Sequence, residues 1–273
     1  MQDLIAARPP PQMLARRHGK GHFAGLLFLG LWIALGLGVI YVLIADYDGD
    51  MLQKYGPRIL SGALVTLEVV GLSLAIGAVL SVPIAMGRLS SNPIWASLAF
   101  GYSYFFRGTP LLAQTFLVYY GAGEFSDFFK SIGLWPYVRE AFDCAVLTFS
   151  LNTAAYQAEI LSGAIRSVPA GQWQAAQALG LRRGVILFKI ILPQALITAL
   201  RPYGNEVILM VKGSAIASVI TLLDLMGQTR YAYSRTYDLQ IYLWAAILYL
   251  VTVETLRQIW DRLERRLTRH LKR

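Results

Sequence analysis

Long apolar runs separated by short charged stretches dominate the chain, and their lengths set the first constraint. Phe23 to Ile44 carries no charge and is long enough, at about 1.5 Å per residue, to cross about 30 Å of hydrocarbon. It exceeds the apolar core of a signal peptide, and Leu43 before Ala45 spoils a small-x-small cleavage site, so an uncleaved anchor is predicted. Ile59 to Met86 forms a second span with Glu68 as its only ionisable residue. Ile94 to Tyr120 is broken at its middle by Arg107, Gly108, Thr109 and Pro110. Each flank, about ten residues, reaches only about 16 Å, so the two halves are predicted to share one crossing. Phe142 to Gly163 makes a fourth span, and Val185 to Val211 a fifth, interrupted at Arg201 and Pro202. Ser214 to Leu225 is too short to cross and reads as a hairpin or outer-leaflet helix packed on protein. Tyr231, Tyr233, Tyr237 and Tyr242 form an aromatic belt before the last span, Leu239 to Ile259.

The charges between these runs orient them. Arg88, Arg166, Arg182, Arg183 and Lys189 flank apolar ends, as do Arg257, Arg262, Arg265, Arg266 and Arg269. By the preference of basic residues for the cytoplasmic side, these stretches lie inside, with the Pro-rich basic segment 1–22 and the tail 261–273. Asp46, Asp48 and Asp50 then lie outside, with Glu124, Asp127, Arg139 and Glu140. Both termini are cytoplasmic in this reading, and six spans result. With 56% apolar and 15% charged residues, the chain reads as an all-α integral membrane protein. Its net charge of +9 sits in the flanks and marks topology, not nucleic-acid binding. Cys144 is the only cysteine, which excludes an internal disulfide framework or a zinc site. His18, His22 and His270 lie near the termini, where solvent or lipid headgroups surround them. No G-x-x-x-x-G-K-[ST] loop occurs, so ATP is not bound by that route and no cofactor is expected on this chain.

Ser167 to Pro193 is too polar to cross a membrane. Pro169 suits a first helical turn, Gln172 to Leu181 continues with good helix formers, and Gly180 permits a turn. Gln174, Ala175 and Ala176 are followed by Gly180, then Ile190, Leu192 and Pro193. This spacing resembles the cytoplasmic signature loop of ABC-importer permease subunits: E-A-A, three residues, G, nine residues, I, one residue, L-P. One position departs, since Gln174 stands where the motif has Glu. An amphipathic connector between two spans is the plainer reading, but the register of the whole motif favours the family. Three further stretches resemble the polar amino-acid uptake branch: FFRGTPLLAQTFLVYYG from Phe105, LNTAAYQAEILSGAIRSVP from Leu151 and NEVILMVKGSAIASVI from Asn205. They lean toward the M-type subunit of histidine, lysine, arginine, ornithine or opine systems.

The resemblance reaches from Leu60 to the basic tail. It implies a type I ABC importer transmembrane domain over 58–260, with a coupling loop at 164–189 and an extra N-terminal transmembrane helix at 23–45. Gly171, Gln174, Ala175, Ala176, Gly180 and Pro193 would then belong to a helix seated in the groove of a separate ATPase subunit, which binds ATP-Mg. A second permease subunit, identical or homologous, and a periplasmic amino-acid-binding protein are the other implied partners, in a bacterial inner membrane. The implied function is import of polar amino acids, basic ones or opines favoured, with no bond chemistry on this chain.

Charged groups at membrane depth cost about 2.5–3.5 kcal/mol on insertion scales, so those present face protein or water. Glu68, Arg107, Thr109, Asn152, Asn205 and Glu206 are therefore candidate substrate-path residues. Each also has a structural reading: Arg107 could pair with a carboxylate or with carbonyls freed by Pro110, and Asn152 could bond between helices. Glu68 and Glu206 could meet the cationic group of a basic amino acid, while Glu159 reads as an interfacial cap. Two rivals stand beside the importer. An ion-coupled secondary transporter usually shows two repeated halves, and the RGTP and LNTAAY segments have no second copy. A membrane scaffold with a docking helix would have no use for costly buried charges.

Overall fold

The computed structural model describes residues 20–45 and 49–269, with side chains from Phe23 onward. His18, His270, Asp46, Asp48, the His22 side chain and nearly all of the basic 1–22 segment thus fall outside what is described. The described residues are helical or in turns, with no strand among them, as the all-α reading requires. They form two compact units divided after Asp48. In the first, α1 (Lys20–Ala45) is apolar on every side, with no charge from Phe23 onward and almost every side chain exposed. A helix without a polar face matches lipid as its solvent.

The second unit opens with α2 (Gly49–Arg88), whose 40 residues make about 60 Å, twice the hydrocarbon thickness. It begins ahead of the expected start at Ile59, because Met51, Tyr55 and Ile59 recur at helical spacing and are buried. Pro57 and Pro83 lie inside it without ending it. Asn92 caps α3 (Pro93–Gly108), accepting the Ile94 N–H at 2.9 Å with Pro93 in the first turn. Thr109 is extended (φ −108°, ψ 145°), as a residue before proline prefers, and α4 (Leu111–Glu124) starts behind Pro110. The break falls where the sequence places it. Two short helices, α5 (Ser126–Ser131) and α6 (Trp135–Val138), occupy the expected outer loop.

Next come α7 (Ala141–Ser167) and α8 (Ala170–Ala178). The single turn α9 (Arg183–Val185) runs into a π-helical turn, Ile186–Ile191, and then into α10 (Leu192–Gly213). Leu192 N–H bonds back to Leu187 O across the wider turn, and the Gln194 side-chain amide donates to Ile190 O at 2.8 Å. Pro193 sits in the first turn of α10, where its missing donor costs least. The interruption expected at Arg201 and Pro202 is absent. Pro202 lies inside α10, which is held by packing on its neighbours and loses one backbone bond without breaking. A 3-10 helix, Ser214–Ile220, and a left-handed Thr221 lead to α11 (Leu225–Thr236), capped by Asp224, which accepts Gly227 N–H at 2.8 Å. The last helix, α12 (Gln240–Leu267), continues past the expected end at Ile259, so 261–267 of the basic tail are helical. Arg257 pairs there with Glu254 and Asp261 at i,i+3 and i,i+4, which favours the continuation.

Helix α7 is the centre. Ala145, Phe149, Ala154, Ala155 and Ala158 are fully buried, as are Thr153 and Ser162, and α2, α3, α4 and α10 all pack on it. Thr148 and Ser150 return their hydroxyls to Cys144 O (2.8 Å) and Val146 O (2.6 Å), so small side chains give close approach without stranded polar atoms. Helix α2 crosses α7 closely at Gly77, where an added Cβ would lie 2.5 Å from Thr153 Cγ2 and 3.3 Å from the Ala154 nitrogen. Two apolar clusters involve α7, one at its first turns and one joining its end to α8 and the π turn, and a third joins α2, α11 and α12.

Gly77→Ala is expected to cost about 1–3 kcal/mol through overpacking, read as a lower Tm of the detergent-purified protein. Gly71→Ala on the same helix, where a Cβ meets nothing within 4 Å, should leave Tm unchanged or slightly raised.

Candidate functional site

Helix α8 packs against the end of α7 and the π turn. Ala176 is buried against a cluster that includes Ile165, Val168, Ile186 and Ile191, and Trp173 packs at its edge. Gly171, Gln174, Ala175 and Ala178 share the opposite face and are exposed. Leu179, at 78% exposure, continues that face beyond the last turn. Gly180 has φ +72°; its N–H bonds Gln177 O (2.9 Å) and Leu181 N–H bonds Ala176 O (3.2 Å). This pair is the Schellman closure, which satisfies carbonyls that a helix end leaves open and requires the left-handed conformation at Gly180. Pro193 stands apart from this face, at the entry to α10.

Three charged side chains converge between α2, α3 and α7. Glu159 accepts from Arg88 Nη2 with both carboxylate oxygens at 3.1 Å, and Arg107 Nη1 lies 3.3 Å from Oε2. Arg88 is over the Phe100 ring and Arg107 over Tyr156, each just beyond 5 Å from the ring centre. A cavity of about 240 Å³ opens beside them, lined by Arg88, Phe100, Ser103, Tyr104, Arg107, Gly108 and Glu159. Two buried donors at this cavity, Arg88 Nε and the Ser103 hydroxyl, have no protein partner. Two guanidiniums against one carboxylate leave a net positive site with free donors, the chemistry that receives a carboxylate.

The break between α3 and α4 is closed by a polar knot. Gln114 Nε2 donates to Phe106 O (2.9 Å), Thr109 O (3.1 Å) and Thr109 Oγ1 (2.7 Å). Asn152 Nδ2 donates to the same Phe106 O (2.9 Å) and to Gln114 Oε1 (3.0 Å). Thr109 and Asn152 thus hold the broken helix against α7. Glu206 is 6% exposed and accepts from Thr153 Oγ1 at 2.8 Å. Behind it Gln157 donates to Thr153 Oγ1 (3.1 Å) and accepts from Tyr203 Oη (2.5 Å), so one directed chain runs from Tyr203 to Glu206.

The remaining candidates are dispersed. Glu68 is exposed on α2 between Leu64 and Leu72 one turn away on either side, with no hydrogen bond or ion pair among the described residues. Asn205 is exposed on α10, in a cavity of about 330 Å³ with Arg201, Arg257, Asp261 and Glu264. Arg201 pairs there with Glu264 at 2.9 Å. Arg201, Asn205 and Lys212 share one exposed face of α10. Sequence reasoning passed over Arg88, Ser103 and Lys212 and took Glu159 for a cap. The one available signal was that an isolated Arg107 in an apolar run needs a carboxylate, and the apolar spans offer Glu68, Glu159 and Glu206 without choosing among them.

The family model of the binding-protein-dependent transport system inner membrane component matches residues 76–269. The chain belongs to this family. Among its curated members, the nopaline transport system permease protein NocM of Agrobacterium fabrum is 42% identical over 204 residues, 74% of this chain and 85% of its own length. The octopine permease OccM of Rhizobium meliloti is 42% identical over 205 residues, covering 75% and 83%. The arginine ABC transporter permease ArtM of Escherichia coli K12 is 37% identical over 213 residues, 78% and 96%. Among solved structures, an amino acid ABC transporter crystallised with histidines superposes with TM-score 0.71 at 34% identity, over 80% of this chain and 98% of that one. The inward-facing MetNI methionine transporter shares the fold, with TM-score 0.66 at 20% identity. The fold of the family's transmembrane domain, the type I ABC importer arrangement expected from the signature loop, is therefore present. The ion-coupled alternative finds no support among these relatives.

Within this family fold, Asn152→Ala removes two bonds and leaves Gln114 Oε1 without its donor, while Phe106 O keeps the bond from Gln114 Nε2. A loss of about 1–3 kcal/mol is expected, read as a lower Tm. Asn205→Ala, whose side chain makes no hydrogen bond among the described residues, should leave Tm in place.

Proposed function

We propose that this chain is the permease subunit of an ATP-driven importer that carries amino acids bearing a cationic side chain, or opines, into the cytoplasm. The carrying observation is the cavity at Arg107, Ser103 and Glu159. Its unpartnered donors suit the substrate carboxylate, and Glu159 is the acceptor for an ammonium or guanidinium. The relatives named for nopaline, octopine and arginine support the same substrate class. Polar side chains at Arg201, Asn205 and Lys212 along one exposed face of a membrane-length helix cannot look at lipid without cost. That face is assigned to a water-filled path or to the second permease subunit.

The exposed face of α8 is the docking surface for a separate ATPase, with ATP-Mg on that partner. Small side chains at Gly171, Ala175 and Ala178 permit close approach, and the Schellman end makes the helix a rigid body able to transmit motion. Gln174 offers an amide where a carboxylate would add charge, and its oxygen still accepts a hydrogen bond. The α8 end is cytoplasmic by its basic flanks, both chain termini are inside, and a periplasmic binding protein delivers substrate at the other end. Thr109, Asn152 and Glu206 support the path rather than line it, and the extra helix α1 anchors the chain in the inner membrane.

Glu159→Gln should reduce arginine or opine uptake about 10- to 100-fold, the loss that follows from one charge-assisted hydrogen bond. Assembly should be retained; unchanged uptake would remove the cavity from the path. Ala175→Trp should abolish co-purification of an ATPase subunit while the chain still reaches the membrane. If the ATPase stays bound, α8 is not its seat.

A further inference from the structure

A second and larger cavity, about 850 Å³, lies outside the substrate pocket, where the ends of α2 and α7 meet α8, α9 and the π turn. Two cations stand at it, Arg166 and Arg183, and no acidic side chain lines it. Arg166 is held in place by donating Nη2 to Arg88 O at 2.6 Å, a neutral carbonyl that leaves its charge uncompensated. Arg183 opens α9 and makes no ion pair among the described residues. Ser90 and Gln177 add two neutral polar groups, and apolar or aromatic wall comes from Met86, Trp173, Leu187 and Phe188, with Met86 46% and Phe188 63% exposed.

The position is as specific as the lining. Met86 and Arg88 end the apolar length of α2, and basic Arg166 and Arg183 stand at the cavity, which by the inward preference of basic flanks puts it at the boundary between hydrocarbon and headgroups. An occupant must offer a negative group to two guanidiniums and an apolar chain to the exposed Met86 and Phe188. We propose that this cavity is a binding site for one anionic phospholipid. Its phosphate bridges Arg166 and Arg183, its acyl chain lies on Met86, Leu187 and Phe188, and the Trp173 indole takes the interfacial position between them. Inorganic phosphate alone would leave the apolar walls bare, and a zwitterionic lipid would bring its own cation against the two arginines. A lipid in this place ties α8 to the bilayer through Trp173 and α9. The site depends on membrane insertion and on the charge of the cavity, not on the importer reading.

The test is native mass spectrometry of the full chain, delipidated in detergent and titrated with phosphatidylglycerol or phosphatidylcholine. One phosphatidylglycerol per chain is expected to bind in preference to phosphatidylcholine. Arg183→Gln should weaken that binding about fivefold, the worth of one basic residue near a lipid headgroup, with phosphatidylcholine binding unaltered. Arg183→Lys should retain most of the preference, and Arg262→Gln, on α12 away from the cavity, should retain all of it. Because Arg166 also holds Arg88, Phe188→Asp serves as the second variant and should weaken binding of the same lipid. Equal binding of the two lipids, an unchanged affinity in Arg183→Gln, or full displacement by excess inorganic phosphate would overturn the proposal. So would loss of a co-purifying ATPase in Arg183→Gln with lipid preference intact, which would give the cavity to that partner. Normal lipid selectivity in a protein that brings down no ATPase would leave this site standing and sink the importer reading alone.

Discussion

A backbone or side-chain polar group in hydrocarbon has no water to turn to, so every one must be answered from within the protein. Helix α7 is where this constraint is met. Its alanines, serines and threonines let α2, α3, α4 and α10 approach closely, and the hydroxyls turn back onto its own carbonyls. Its larger polar residues, Asn152, Thr153, Gln157 and Glu159, reach out to the neighbouring helices. Asn152 secures the broken α3–α4 segment, Thr153 and Gln157 secure α10, and Glu159 secures α2 and α3. The helix is thus both the packing core and the hub of the polar contacts.

This arrangement separates two kinds of membrane-depth polarity. Glu206, Thr109 and Asn152 are consumed by protein partners, so their cost is offset within the fold. Arg88 Nε and the Ser103 hydroxyl retain unpartnered donors at the cavity beside Arg107 and Glu159, and Arg201, Asn205 and Lys212 retain exposure along α10. Only the second kind has capacity left for a ligand or another chain. The distinction rests on where donors find acceptors, which is why a list of charged residues in apolar runs could not supply it.

The α8 segment shows the opposite case, in which local chemistry is sufficient. A proline before the first turn, a run of good helix formers and a glycine in the left-handed region specify a short helix and its stop without any tertiary contact. The Gln174-Ala175-Ala176 motif, its Gly180 and the following Leu192-Pro193 were legible because their spacing along the chain keeps the register of the family's signature loop. The π turn before Pro193 was not, since the same residues would also accept ordinary α geometry.

What the sequence determined by itself was the class of the protein, the positions of its apolar helices, the break at Pro110, the α8 helix and its family. These follow from local hydrophobicity, proline and glycine stereochemistry and residue spacing, all of which act over a few residues. Tertiary structure alone decided that α10 runs unbroken through Pro202, that Glu206 is buried and Glu68 exposed, and that Glu159 stands between Arg88 and Arg107. Each of these depends on which helix faces which. A run of apolar residues constrains that only weakly in a membrane, because lipid and protein interior are equally apolar and close packing must choose between them.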